Sequence, residues 1–195
     1  MRQNCRERSV RRMRALVVYE SMFGNTQVIA RAIAEGWGTT AEADLREVGT
    51  QPGLDPDIDV LVVGGPTHAF GMTRASTRNT AREQAAKEHL NSGHVVSEEI
   101  GIREWLDALP RSDAHRLAAA FDTRVAPARV PGSAAKGIAK RLRTKGFAAA
   151  CAPRTFWVTG TPGPLVDGEA EAARRWGQEL RAIAEGQAMD RSRSA

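Results

Sequence analysis

The sequence predicts a single three-layer α/β domain, in which a five-stranded parallel sheet lies between two layers of helices. Unbroken apolar runs at residues 15–19, 60–63 and 117–121 are typical of parallel strands that are covered on both faces. Segments with helical periodicity alternate with these runs, as a parallel sheet requires. The length of 195 residues and the hydrophobic content of 42% suit one domain with a sizeable core.

The first strand and the first helix follow each other almost directly. Residues 15–19 form the apolar run of the strand, which Glu20 ends. An apolar stripe that includes Val28 then predicts a helix over residues 25–35, and the glycines after it are typical of a helix end followed by a turn. Residues 43–48 predict a short, partly charged edge strand.

The third strand, over residues 60–63, is followed by a basic helix. Arg74, Arg78 and Arg82 are spaced by four, so they would share one face of a helix capped near Ser76. Such a row could meet an acidic partner or the phosphate of a nicotinamide nucleotide. A solvated helix face is the simpler interpretation.

The second half of the chain continues the alternation of helices and strands. Its proline and glycine residues mark the breaks between elements. The predicted elements are a helix over residues 100–109, a strand over 117–121, a basic helix opened by residues 131–133, a strand over 147–151 that resumes at 156–158, and a closing helix over 169–184.

The charge distribution divides the chain into three parts. Most of the net charge of +5 comes from residues 1–12, which contain five arginines and one glutamate. We therefore expect a basic disordered extension over 1–12, a neutral domain over 13–185 and a polar tail over 186–195. A nucleic-acid partner is not expected for the domain, because its own charge is balanced.

The cysteine content and the hydropathy pattern indicate where the protein works. Cys5 and Cys151 are too few for a disulfide framework and lack the spacing of metal ligands. No apolar run approaches the length that spans a bilayer. These features predict a cytoplasmic protein with no membrane span and no metal site.

The turn over residues 21–26 (SMFGNT), between the first strand and the first helix, has the chemistry of an anion site. The first N–H groups of a helix lack intrahelical partners and point, with the positive end of the helix dipole, at one small volume. Ser21, Asn25 and Thr26 add neutral donors, and Gly24 permits a tight turn. The turn lacks the lysine of a nucleoside triphosphate loop and the several glycines of a dinucleotide loop. It therefore predicts a cradle for one terminal phosphate, or else an ordinary capped helix start.

The same residues resemble the phosphate loop of the flavodoxin family, which has the form Ser/Thr-x-Thr-Gly-x-Thr and holds the phosphate of FMN. The match is good at Ser21, Gly24, Asn25 and Thr26. It fails at Phe23, where the family usually offers a hydroxyl. A hydrogen bond to a charged group is worth about 1.5–3 kcal/mol, so its loss would weaken binding about ten- to a hundredfold unless a backbone amide replaces it.

The loop after the third strand extends the resemblance. Its Gly-x-Pro-Thr form is closest to the quinone-reductase branch of the family. The resemblance places Pro66, Thr67, His68, Phe70 and Gly71 beside the flavin ring system. An aromatic ring in this loop could stack on the flavin and the histidine could form a hydrogen bond, whereas a core aromatic and a solvent-facing histidine are the alternatives.

The carboxyl end of the fourth strand departs from the family pattern. Asp122, Thr123 and Arg124 correspond in position to the other flavin-flanking loop, where many members carry an aromatic residue. One flavin face would then be more open, which suits substrate access, or the site would be weakened. Arg124 could stabilise negative charge on the reduced flavin or form a salt bridge elsewhere.

The resemblance covers about residues 14–185 and implies the flavodoxin-like strand order 2-1-3-4-5 with FMN as the cofactor. It implies a redox protein for electron transfer or flavin-dependent reduction, with a partner protein or a small quinone-like acceptor. An NAD(P)H:quinone-type oxidoreductase, and a domain that has lost FMN and serves as an interaction or regulatory module, are the alternatives. No catalytic residue is identifiable. The candidate cofactor-binding residues are Ser21, Met22, Phe23, Gly24, Asn25, Thr26, Pro66, Thr67, His68, Phe70, Gly71, Asp122, Thr123 and Arg124.

Overall fold

Strands and helices alternate along the part of the chain that the structure, a computed structural model, describes: residues 12–50, 53–68, 71–90, 94–112, 116–127 and 131–194. The strands are β1 (Ala15–Tyr19), β2 (Ala43–Glu47), β3 (Val60–Pro66), β4 (Leu117–Val125), β5 (Ala148–Ala149) and β6 (Arg154–Val158). The helices are α1 (Asn25–Trp37), α2 (Ala75–Lys87), α3 (Ile102–Ala108), α4 (Ala134–Thr144) and α5 (Glu169–Ser194), and a short 3-10 helix, Val48–Thr50, follows β2.

The strands form one parallel sheet in the order β2-β1-β3-β4-β5, which is the order that the resemblance implied. The register of the central strands aligns Val17 with Val62 and Val62 with Ala119. β6 pairs with the second half of β4, after β5 has paired with its first residues. The last strand is thus split in two around Pro153, as predicted, since proline has no N–H to donate to a ladder.

Two apolar cores separate the sheet from its helices and confirm the predicted three layers. On one face, Trp37 of α1 and Trp176 of α5 pack with Phe121 of β4. The rings of Phe121 and Trp176 meet edge to face with their centroids 6.3 Å apart. On the other face, Ile102 of α3 and Ile138 of α4 cover the same sheet.

β4 and α5 are the elements that extend furthest beyond the ends that the sequence predicted. β4 continues to Val125, so residues 122–124 belong to a strand and not to a loop, because β3 and β6 pair with this segment on its two sides. α5 continues to Ser194, well past the predicted end at residue 184. Its added residues include strong helix formers, and Arg191 and Arg193 in the last turn suit the negative end of the helix dipole.

Some predictions fall outside the described residues, namely most of the basic extension (residues 1–11) and Phe70. In the part of the chain that is described, no helix is both long and apolar enough to cross a membrane. No group of three or more histidine, cysteine, aspartate or glutamate side chains in that part could hold a metal ion.

Candidate functional site

A cavity of about 560 Å³ lies at the edge of the sheet where β1, β3, β4 and β6 end. This is the edge at which open parallel sheets bind ligands, and the volume is within the usual range for small-molecule and cofactor sites. Its lining residues are Ser21, Met22, Phe23, Asn25, Thr26, Pro66, Thr67, His68, Thr123, Arg124, Val125, Ala126, Pro127, Pro131, Val158, Thr159 and Thr161.

The turn between β1 and α1 forms the first wall of the cavity. Gly24 has φ +90°, a left-handed conformation that other residues rarely adopt, and an added Cβ would meet nothing within 4 Å. The N–H of Val28 donates to the Gly24 carbonyl at 3.0 Å and makes the first bond of the helix. The N–H groups of Asn25, Thr26 and Gln27 therefore precede the helical ladder, and they are the donors that a bound anion would use.

Ser21 is held in place by a segment that the sequence analysis did not connect with the turn. Ser21 is buried, its N–H donates to Ser97 Oγ at 3.0 Å, and the N–H of Ser97 donates back to the Ser21 carbonyl at 2.8 Å. The N–H of Val96 also donates to the Met22 carbonyl at 3.0 Å. Ser21 Oγ in turn accepts from the N–H of Gly24 at 3.1 Å, which fixes the shape of the turn.

The side chains that the sequence offered as phosphate donors also have partners within the protein. Thr26 Oγ1 and Thr123 Oγ1 lie 2.7 Å apart and both residues are buried. One of these two hydroxyls donates to the other, so one hydroxyl hydrogen remains to be shared with a ligand. Asn25 Nδ2 donates to the carbonyl of Pro162 at 3.0 Å and connects the turn with the loop after β6. A phosphate contact by these side chains remains a prediction.

Phe23, at the position where the resemblance expects a hydroxyl, holds the turn by apolar packing. It lines the cavity and packs against a small apolar cluster that includes Met22 together with Ala81 and Ala85 of α2. A serine or threonine side chain at this position could not fill the same apolar contact. Phe23 therefore supplies apolar packing where the resemblance expects a hydrogen-bonding group.

The end of β3 forms the second wall. The N–H of Thr67 donates to the Thr123 carbonyl at 2.9 Å, and Thr67 Oγ1 accepts from the N–H of Ala134 at 2.8 Å. His68 and Gly71 exchange two backbone hydrogen bonds of 2.9 and 2.7 Å. Burial lowers the pKa of the His68 imidazole, which favours the neutral ring. Gly71 is not among the lining residues.

The end of β4 forms the third wall. Of the three candidate residues predicted there, two line the cavity and one does not. Thr123 and Arg124 line the cavity. Asp122 is fully buried on the α4 side, where its Oδ2 accepts from Thr67 Oγ1 at 2.7 Å, from Ser133 Oγ at 2.7 Å and from the N–H of Ala135 at 3.0 Å. Because strand side chains alternate between faces, Asp122 lies on the opposite face of β4 from Thr123. Its hydrogen bonds join β3 and β4 to the start of α4.

The fourth wall was not predicted from the sequence. Val158, Thr159 and Thr161, at the end of β6 and in the loop that follows, line the cavity. The signal that could have found them is their position at the carboxyl end of the last strand, next to the predicted site. They add two hydroxyl groups near the start of α1.

The arginine row at α2 is solvated only in part, because one of its members is buried. Arg78 is only 4% exposed, and its Nη1 lies 3.2 Å from Glu104 Oε2 of α3. The same Nη1 lies 3.4 Å from Thr73 Oγ1, which donates to the buried carboxylate of Glu20. The simpler interpretation of this row is therefore wrong for Arg78, because a buried guanidinium needs a partner and α3 supplies one.

Comparison with solved structures shows that the chain has a flavodoxin-like fold. A flavodoxin from the domain Archaea is 19% identical with a TM-score of 0.56, over 89% of this chain and 99% of that chain. The oxidised flavodoxin 2 of Bacillus cereus is 18% identical with a TM-score of 0.57, over 89% and 99% of the two chains. A flavodoxin, WrbA-like protein of Agrobacterium tumefaciens is 18% identical with a TM-score of 0.52, over 89% and 98%. No protein-family model and no curated protein matches the sequence.

Proposed function

We propose that this flavodoxin-like chain is an FMN-binding redox protein. The observation that carries the proposal is the start of α1 at one end of the cavity, where Gly24 turns the backbone and the N–H groups of residues 25–27 precede the helical ladder. Such an end attracts a terminal phosphate through its N–H groups and its dipole. The hydroxyl of Thr161 lines the same cavity and is a further donor for the phosphate. The hydroxyl of Thr159 also lines it, but its hydrogen is donated to the Pro164 carbonyl at 3.1 Å.

The remaining walls suit a flat, largely apolar ring system. Pro66 on one side and Val125, Ala126 and Pro127 on another contribute apolar surface to the cavity. The neutral His68 adds a donor and an acceptor at its rim. FMN, when bound, supplies the capacity to take up and give away electrons, and the protein supplies position and electrostatics.

Arg124 gives the cavity a positive charge that is independent of the phosphate end. Its side chain is half-buried and lines the wall formed by β4. A positive charge beside a redox cofactor favours the state of the cofactor that carries more negative charge. Arg124 would therefore raise the tendency of a bound cofactor to accept electrons.

A second candidate function is flavin-dependent reduction of a small acceptor such as a quinone. It is favoured by the β4 wall, because residues 122–127 (DTRVAP) contain no aromatic side chain that could cover the ring. Val125 is 40% exposed at this wall, so one side of the cavity is open to an incoming molecule. NAD(P)H is the matching electron donor for such a reaction.

The proposal is tested by comparing FMN with riboflavin, which has the same ring system and no phosphate. The protein is titrated with each flavin while the quenching of flavin fluorescence and the visible spectrum are followed. We expect saturable binding of FMN, and weaker binding of riboflavin by about a hundredfold, because several charge-assisted hydrogen bonds are lost.

Two outcomes would contradict the proposal in different ways. Equal affinity for the two flavins would mean that the start of α1 does not hold a phosphate. Absence of binding to both flavins would support the alternative of a flavodoxin-like domain that has lost its cofactor. If FMN binds, steady-state oxidation of NAD(P)H with and without a quinone then separates the carrier from the reductase.

A further inference from the structure

Positive charge is concentrated on the outer face of the layer formed by α3 and α4. α4 contains four basic residues and no acidic residue, and Lys136 and Lys140 are exposed one turn apart. The next residue, Arg141, reaches α3, where its Nε lies 3.0 Å from Asp107 Oδ1. With one arginine of α3 and one at the start of α2, these residues form what we call the basic surface: Arg74, Arg103, Lys136, Lys140 and Arg141.

Direct contacts hold the basic surface together although its charges repel one another. Arg103 donates to the carbonyl of Thr73 at 3.0 Å and to the carbonyl of Met72 at 2.8 Å. Met72 also touches α4, since a Cβ added at Gly137 would lie 3.1 Å from its Cε. Burial first, and then the positive charges of Arg141 and Arg74, lower the pKa of the Arg103 guanidinium.

The carboxylates near the basic surface neutralise only part of its charge. Glu104 pairs with the buried Arg78 and Asp107 pairs with Arg141. Arg74, Lys136 and Lys140 are exposed, and they form no ion pair with any of the residues that the structure describes. A fixed group of like charges costs free energy in the isolated protein, and a surface of opposite charge recovers that cost.

The basic surface begins at the rim of the cavity. Thr67 and His68 line the cavity, and Arg74 follows them at the end of the same connection. Pro131 lines the cavity too, and Lys136 is the third residue of α4, two residues after Ala134, whose N–H donates to Thr67 Oγ1 at 2.8 Å. A macromolecule that covers the basic surface therefore also approaches the mouth of the cavity.

We propose that the basic surface docks the acidic face of a partner protein that carries a one-electron redox centre. This proposal rests on the proposed redox function, because docking at the rim places the partner's centre near the flavin cavity. Complementary charge would accelerate association and orient the partner at low ionic strength. A nucleic acid would satisfy the charge, but it would bring no redox centre to the cavity.

The test uses cytochrome c and its succinylated form, which carry the same haem on a basic and on an acidic surface. Binding of each to the immobilised full-length protein is measured at low and at physiological salt. We expect the succinylated form to bind at least about tenfold more tightly at low salt, and this preference to decline as salt screens the charges over about 8–10 Å.

Matched charge variants locate the docking surface. The variant Arg74→Glu/Lys136→Glu/Lys140→Glu removes charges that pair with no described residue, and we expect it to lose the preference for the acidic probe. The control variant Arg175→Glu/Arg191→Glu/Arg193→Glu changes the net charge equally on α5, which covers the other face of the sheet. We expect this control to keep the preference.

Two results would overturn the proposal. Equal losses in both variants would show a general effect of net charge, and tighter binding of duplex DNA than of succinylated cytochrome c through the same residues would assign the surface to nucleic acid. FMN titration of all three proteins separates the two proposals. If the basic-surface variant loses binding of the acidic probe and keeps FMN binding, the lost charges act in docking and not in cofactor binding. If none of the three proteins binds FMN, the proposed function is wrong.

Discussion

The hydroxyl oxygens of Thr26 and Thr123 lie 2.7 Å apart and join the first turn of α1 to the end of β4. Both residues are buried and both line the cavity. The bond therefore fixes the start of α1, with its unpaired N–H groups, relative to the wall formed by β4. It connects two parts of the candidate site that are 97 residues apart in the sequence.

Replacement of one threonine should cost more than replacement of both. Thr26→Val or Thr123→Val leaves the other buried hydroxyl without this partner, and we expect each to lower the free energy of unfolding by about 1–3 kcal/mol. The double variant replaces both hydroxyls by methyl groups of the same shape, and we expect it to be close to the wild type. Urea denaturation of the four proteins measures the coupling, and additive losses would contradict it.

Gly24→Ala should weaken FMN binding through the backbone. The left-handed φ of +90° costs a residue with a Cβ about 1–2 kcal/mol, so the turn would relax and move the N–H groups at the start of α1. We expect the dissociation constant of FMN to rise about tenfold or more, measured by fluorescence quenching.

Gly168→Ala is the matched control for Gly24→Ala. Gly168 has φ +83°, and an added Cβ would also meet nothing within 4 Å. The chain neighbours of Gly24, Phe23 and Asn25, line the cavity, whereas neither neighbour of Gly168 does. We expect a similar loss of stability in both variants and a loss of FMN affinity in Gly24→Ala alone. A similar loss of affinity in both variants would show that strain acts through general destabilisation.

The sequence predicted those parts of the site that depend on neighbouring residues. The turn at residues 21–26 stands out because a buried strand, a glycine and a helix start follow one another, and the structure places the turn on the cavity. The contacts that fix it come from far along the chain. Ser97 is 76 residues from Ser21, and no local pattern announces such a bond.

Charged residues in buried positions were the main source of error. Asp122 interrupts the apolar run of β4, so the predicted strand ended one residue before it. The start of α4 and Thr67 satisfy its carboxylate, which allows the strand to continue. The spacing of the arginines predicted an exposed position for Arg78 as well. Its partner Glu104 lies on another helix, which a local pattern does not show.

Glu20→Gln should change how stability depends on pH. Burial raises the pKa of the Glu20 carboxyl, while the hydrogen bonds from Thr73 and from the N–H of Ile102 act against burial. An acid whose pKa is raised in the folded state contributes stability below its ordinary pKa, and this contribution is lost as pH rises through the raised pKa. The free energy of unfolding of the wild type, relative to that of Glu20→Gln, should therefore fall as the pH rises above the ordinary pKa of a glutamate, about 4.3.

Glu42→Gln is the control, because its effect on the free energy of unfolding should change with pH in the opposite direction. The N–H of Thr39, followed by Arg181, stabilises the Glu42 carboxylate and lowers its pKa. Its contribution is present above the ordinary pKa of a glutamate and is lost as pH falls through the lowered value. Equal pH dependence in the two variants, measured by urea denaturation across the same range, would show that Glu20 does not titrate as its burial implies.

Asp122→Asn should lower stability more than it lowers FMN affinity. Asp122 Oδ2 accepts three hydrogen bonds that hold Thr67 and the start of α4, and an asparagine accepts them only when its amide oxygen takes the position of Oδ2. Its amide nitrogen would face these donors or take the position of Oδ1, which has no partner among the described residues. We expect a loss of about 2–3 kcal/mol in the free energy of unfolding, measured by urea denaturation.

Asp44→Asn is the control for Asp122→Asn, because it removes a carboxylate charge at an exposed position. Asp44 pairs with Arg46 at 2.9 Å on the surface, with 40% of its side chain exposed, and such pairs contribute about 0–1 kcal/mol. Because Asp122 is buried on the α4 side and does not line the cavity, its variant should bind FMN within about threefold of the wild type once both are folded. A large loss of FMN affinity with unchanged stability would instead restore Asp122 to the flavin-flanking role that the family resemblance gave it.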